Sequence, residues 1–293
     1  LDFSVSPNNE AMKQRWDALY LQILGAIHQG APILIATFCL SLLDVSVYAI
    51  YNLVILGLNS LLGIFMTGLT SGFGDLIARE EKAAFHKAFR EFEFLYNITI
   101  TIIYSTMLFV YLPFIGLYTK GSDISYLYPV FAFLMTVNGY AYNIKNPFGM
   151  LVISAGKYKE TRAPTSIQGA IELVGGIVLS LLWGLNGLVI GSILSNLYRD
   201  IEFLFFSPKH LTREPALHTV KLWCVNTAIF CVAAIISFGL PDLSIERFSD
   251  WILFAAGAFL LCALVVLSVN GLLFRQLSLD ALERFKRIFF RRH

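Results

Sequence analysis

Apolar and polar positions alternate along this chain on the scale of whole segments. Windows of roughly twenty mostly apolar residues, the length needed to cross a hydrocarbon core, fall near 25–43, 46–70, 94–118, 127–154, 164–183, 186–207, 219–240 and 250–273. Short polar connections separate them. A helix satisfies its own backbone groups in lipid, so nearly all of the chain is expected to be helical. The pattern predicts an all-α polytopic membrane protein of about eight transmembrane helices. Its expected order is an N-terminal segment over 1–24, six helices over 25–208, two more over 209–273 and a basic amphipathic tail over 274–293.

Composition sharpens this picture. Of the 293 residues 57% are hydrophobic and 14% charged, with a mean hydropathy of +0.68, too apolar for a soluble fold of this length. The first window lies too far from the start to be a signal peptide. Cys39, Cys224, Cys231 and Cys262 stand singly inside apolar windows and read as small packing residues.

Lys and Arg fix the expected orientation, because basic connections stay on the cytoplasmic side. Two precede the first window, four lie in 75–93, three in 157–162, four in 199–221 and six from Arg275 onward. The opposite connections hold only Lys120 and Arg247, and Lys145 falls within a window. Both termini are therefore expected in the cytoplasm. The outer connections are short, leaving no external domain to do chemistry. The segment "GFGDLIAREEKAAFHKAFREFE" reads as a solvated cytoplasmic helix. The tail "LDALERFKRIFFRRH" alternates basic and aromatic residues and is expected along anionic membrane lipids, not on nucleic acid.

Ionisable groups inside a span cost a few kcal/mol, so each needs a partner or a cavity. In the fourth window Asn138, Tyr142, Lys145 and Gly149 share a helical face, flanked by Asn143 and Asn146; in the fifth, Thr165, Gln168 and Glu172 do. Lys145 lies roughly 15 Å and Glu172 roughly 12 Å from the cytoplasmic ends of their helices, so the two charges can meet near the midplane. Two readings follow: a buried ion pair that sets helix register, or a hydrated cavity in which Lys145 meets an anionic substrate and Glu172 serves as counter-charge or as a proton or cation site. Pro147 is expected to kink the fourth helix just past Lys145, and Gly169, Gly175 and Gly176 to admit a close neighbour to the fifth. Asn196, Arg199 and Asp200 would continue a polar lining, although Arg199 with Glu202 is equally an interfacial pair. Asn52 and Asn59 read as interhelical hydrogen-bonding residues, and His28 with Gln29 as an interfacial opening to the first span. Asp44 falls at an outer turn. No phosphate loop, metal-ligand spacing or nucleophile elbow is present, so an ATPase or hydrolase is not expected, and neither an enzyme nor a cofactor is predicted.

Several stretches together resemble one family. "PILIATFCLSLLDVSVYAIYNLVILGLNSLLG", "GLTSGFGDLIARE", "LPFIGLYTKG" and "SAGKYKETRAPTSIQGAIELVGGIVLSLLWGLNGLVIGSILSNLYR" are similar, in order and spacing, to the second lobe of polysaccharide flippases, the Wzx-like members of the multidrug/oligosaccharidyl-lipid/polysaccharide exporter superfamily. The likeness covers residues 25–208 well and the last two windows loosely. It implies a V-shaped transporter of two six-helix lobes with two extra C-terminal helices, alternating between inward-open and outward-open states in a bacterial or archaeal cytoplasmic membrane. Its cargo would be an oligosaccharide on a polyprenyl diphosphate carrier, moved outward for O-antigen, capsule or exopolysaccharide assembly. The lining would draw on Lys145, Glu172, Arg199, Asn138, Tyr142 and Gln168, with Lys145 and Arg199 meeting the diphosphate and protons or Na⁺ at Glu172 driving the switch. Glu172 falls near a position that is commonly uncharged in the family. Six spans plus two match the second half of such a protein, so a first lobe is expected, either in a longer chain, which the start at Leu1 favours, or in a partner protein. The rival expectations are a drug/cation antiporter of the same superfamily, with a more acidic and aromatic lining, a polymerase-type membrane enzyme, and a non-transporting subunit of the assembly machinery.

Overall fold

The structure, a computed structural model, describes residues 9–240 and 245–290. The first residues of the N-terminal segment, part of the last outer connection and the end of the tail fall outside the described residues, as do most of the tail's basic and aromatic side chains. The described chain runs as α1 (Asn9–Cys39), α2 (Leu42–Ala78), α3 (Lys82–Tyr118), α4 (Pro129–Ile144), α5 (Asn146–Ser154), α6 (Tyr158–Ala170), a π-helical turn (Ile171–Gly175), α7 (Gly176–His210), α8 (Leu217–Gly239), α9 (Phe248–Leu273) and α10 (Arg275–Phe290). No strand occurs among the described residues.

Local chemistry sets the ends of these elements. Ser41 and Asp44 form a capping box at the start of α2: the Ser41 hydroxyl accepts from the Asp44 amide at 3.2 Å and the Asp44 carboxylate accepts from the Ser41 amide at 3.2 Å. The helix α5 closes on Gly156 at φ +62°, where the Gly156 amide donates to Ile153 and the Lys157 amide to Val152, a Schellman end that glycine adopts without steric cost. Tyr51 pins the loop between α3 and α4, donating to the Tyr126 carbonyl at 2.9 Å and accepting from the Tyr128 amide at 3.1 Å.

One difference from the sequence expectation concerns helix continuity. The predicted window 127–154 is not one kinked helix but two, α4 and α5, meeting at Lys145; Pro147 cannot donate its backbone nitrogen, and the new helix starts around it. The windows 164–183 and 186–207 are two helices that meet where Trp183 and Gly184 leave helical geometry and the chain folds back, at the turn the sequence places there. Contacts across that turn pair Thr161 with Arg199, Gln168 with Ser195, Glu172 with Ser192 and Gly176 with Gly191, which defines an antiparallel hairpin. Gly175, Gly176 and Gly191 bring its two legs into backbone contact, whereas Gly169 has open space beside it.

Six helices among the described residues are long and apolar enough to cross a membrane: Arg15–Cys39, Leu42–Ala78, Lys82–Tyr118, the run Tyr158–His210, Leu217–Gly239 and Phe248–Leu273. Large apolar side chains such as Phe38, Leu42, Phe205, Ile235, Leu253 and Leu272 cover their outer faces, so the chain is a helical, membrane-embedded protein. Of these six, α3 is the most enclosed, in contact with α2, α4, α5, α8, α9 and α10. A satellite core of Phe94, Ile98, Ile102, Leu222, Val266 and Phe274 seats α8 and α9 against it. Within that pair Asn226 and Asn270, both fully buried, exchange side-chain hydrogen bonds at 3.3 and 3.2 Å.

Candidate functional site

A polar groove of about 770 Å³ is lined by α1, α2, α4, α5, the π turn and α7. Its wall along α2 runs from Tyr48 to Thr70, roughly 33 Å at the helical rise, comparable to the thickness of a hydrocarbon core. The polar lining includes His28, Asn52, Asn59, Asn138, Tyr142, Asn146, Glu172 and Asn196, and it contains no lysine or arginine.

Glu172 is 2% exposed and lies in the π turn. Its Oε1 accepts from the Ser192 hydroxyl at 2.6 Å, and its Oε2 stands 3.6 Å from His28 Nδ1. The His28 ring stacks on Tyr142 at 6.3 Å between centroids. His28 thus lines the groove, on a helix that begins at Asn9, about four turns before the apolar window that locates it in the sequence.

Lys145 and Glu172 do not pair. The ammonium of Lys145, 7% exposed, donates to Asn196 Oδ1 at 2.6 Å and to the Tyr142 carbonyl at 3.2 Å, and lies 4.9 Å from the Tyr142 ring centre. Asn196 in turn donates from Nδ2 to Asn138 Oδ1 at 2.9 Å. Lys145 therefore stands behind the groove wall, with Asn138, Tyr142 and Asn196 between it and the cavity. Gln168 is also outside the lining; its backbone carbonyl, not its amide, accepts from Ser195 at 2.9 Å. Arg199 is 4% exposed, donates to Glu202 at 2.5 Å and to the Thr161 hydroxyl, and lies 4.1 Å from the Phe203 ring centre. Asp200, next to Arg199 on α7, is 5% exposed.

A second cluster backs the other side of the groove. Asn143 Nδ2 donates to Asn59 Oδ1 and to the Tyr104 hydroxyl, both at 2.8 Å, while its Oδ1 accepts from the Tyr96 hydroxyl at 3.0 Å and from Asn146 at 2.9 Å. Asn59 is the interhelical residue that its face on α2 suggests; Asn52 lines the groove. Helical spacing draws attention to Asn143 and Asn146, but nothing in the sequence singles out Tyr96, Tyr104 or Ser192, which are polar positions among apolar ones on other helices.

Of the sequence candidates, the structure brings Asn138, Tyr142 and Glu172 to the groove and sets Lys145, Gln168 and Arg199 behind it. No group of three or more His, Cys, Asp or Glu side chains suited to a metal ion occurs among the described residues. Comparison of the chain with protein-family models, curated proteins and solved structures found no match.

Proposed function

We propose that this chain is the groove-bearing lobe of a flippase that carries a polyprenyl-diphosphate-linked oligosaccharide across the cytoplasmic membrane for surface polysaccharide assembly. The observation that carries the reading is the groove itself: amides, hydroxyls and one carboxylate held at membrane depth inside an otherwise apolar bundle. Its volume of about 770 Å³ falls within the range of ligand-binding clefts. Side-chain amides suit the donors and acceptors of sugar hydroxyls, while the prenyl chain stays in lipid. In this reading α4 with α5 crosses once and the hairpin twice, giving eight crossings with both termini cytoplasmic. A second lobe, in the same polypeptide or a partner, covers the exposed face of α2 that carries Leu53, Leu56, Ile64 and Phe65.

The test is reconstitution of the intact protein in liposomes with a fluorescent short-chain prenyl-diphosphate oligosaccharide, followed by its accessibility to a membrane-impermeant quencher. Protein-dependent equilibration between leaflets is expected. A rate equal to that of empty liposomes would remove the proposal.

One observation favours a drug/cation antiporter instead. The groove contains Glu172, His28, Tyr48 and Tyr142 but no basic residue of the lysine or arginine type. Cation uptake driven by an imposed pH gradient in the same liposomes, abolished by Glu172→Gln and unaccompanied by glycolipid movement, would select that reading.

A further inference from the structure

The donors and acceptors behind the groove form a directed chain, and Lys145 is its fixed end. A lysine ammonium has three donors and no acceptor. The Asn196 atom 2.6 Å from Lys145 Nζ must therefore be the amide oxygen, since an amide NH₂ would set donor against donor. With its oxygen committed, Asn196 has only its NH₂ to offer Asn138, 2.9 Å away, and Asn138 must receive it with Oδ1. The oxygen end of Asn138, a groove-lining residue, is thereby turned to Asn196, which leaves its NH₂ end outside the chain.

We infer that Lys145 never touches the cargo but is a positioning residue that fixes the direction Lys145 to Asn196 to Asn138, so that the groove receives an N–H donor from Asn138 and takes an acceptor-bearing group there. An acetamide carbonyl, a sugar hydroxyl oxygen or an acidic-sugar carboxylate fits; an ammonium does not. The second cluster is oriented by a different fixed end, the Gly139 carbonyl, which can only accept and takes a hydrogen from Asn143 Nδ2 at 2.8 Å. The cargo chemistry in this inference rests on the groove being the transport path; the direction of the chain does not.

Asn196→Asp separates this role from a structural one. Aspartate still accepts from Lys145, now as a full ion pair, yet it has no NH₂ to give. Asn138 then turns to donate to it and presents its oxygen to the groove. With the intact protein in lipid nanodiscs and ¹⁵N-asparagine labelling, the side-chain NH₂ of Asn138 is expected to exchange with water freely in the parent and that of Asn196 to be protected. In Asn196→Asp, exchange at Asn138 is expected to slow by about tenfold or more, the change that gaining a buried hydrogen bond gives. The preference for a short-chain prenyl diphosphate carrying N-acetylglucosamine over the same probe carrying glucosamine is expected to fall by about tenfold as well. A protected Asn138 NH₂ in the parent, a measurement that needs no variant to fold, would overturn the inference, as would unchanged exchange in Asn196→Asp. If exchange moves as expected and the parent binds neither glycolipid, the chain direction stands and the assignment of the cargo falls.

Discussion

A Cβ on Gly139 would stand 2.5 Å from the Tyr104 ring, the ring whose hydroxyl joins Asn59 and Asn143. Gly139→Ala should therefore cost about 1–3 kcal/mol, the usual effect of overpacking, read as a lower thermal unfolding midpoint in detergent. Gly169→Ala, with open space around it, should leave the midpoint unchanged or raise it slightly. A mutant cycle on Glu172 and Ser192 tests the shortest hydrogen bond on the groove carboxylate: a coupling of about 0.5–3 kcal/mol between Glu172→Gln and Ser192→Ala is expected, and strictly additive effects would mean that the two do not interact. At this scale the sequence was informative in proportion to how much a single helix can say. The face shared by Asn138, Tyr142 and Lys145 is visible from spacing alone. Spacing does not show which atoms of that face reach the cavity, and here the longer lysine points behind the wall that the shorter asparagine lines. The place of His28 in the groove is not legible either, because an apolar window marks where hydrophobicity begins, not where the helix does.

The hairpin formed by α6, the π turn and α7 is held on both sides of Glu172, by Ser195 on Gln168 before it and by Gly191 on Gly176 after it. The π turn places one extra residue between those two contacts, in the segment that carries Glu172. Deleting Val174 would restore regular α geometry and force the hairpin to give up one set of contacts. The expected result is a lower midpoint and loss of whatever activity the groove supports. Val174→Ala, at a side chain 63% exposed, should stay within about 0.5 kcal/mol of the parent. Neither the π turn nor the exact break at Lys145 can be read from hydropathy, which averages over turns. Pro147 and the glycines at 175 and 176 were the legible part, since they act through the backbone itself.

For the molecule as a whole, the distribution of Lys and Arg gives a topology that labelling can check. Asp123→Cys, in the exposed loop between α3 and α4, should react with a membrane-impermeant thiol reagent in intact cells. Lys159→Cys, exposed near the start of α6, should react only after permeabilisation. Labelling of both from outside would invert or break the arrangement. The helical, membrane-embedded character was legible because each apolar window answers to one physical demand, the thickness of the bilayer. Assembly was not, because lipid-facing and buried apolar side chains look alike in sequence; that α3 lies at the centre and α8 and α9 dock on it emerges only from packing.

The groove also has an electrical consequence. Membrane voltage falls across low-dielectric material, and a polar cleft that admits water shortens that path, concentrating the drop on the packed layer behind it. Lys145, Arg199 and Asp200 are buried in that layer. Moving one charge through the full field works against about 2.3 kcal/mol per 100 mV. Any rearrangement of α7 relative to α4 would therefore move charge within the field, and its equilibrium would depend on membrane voltage.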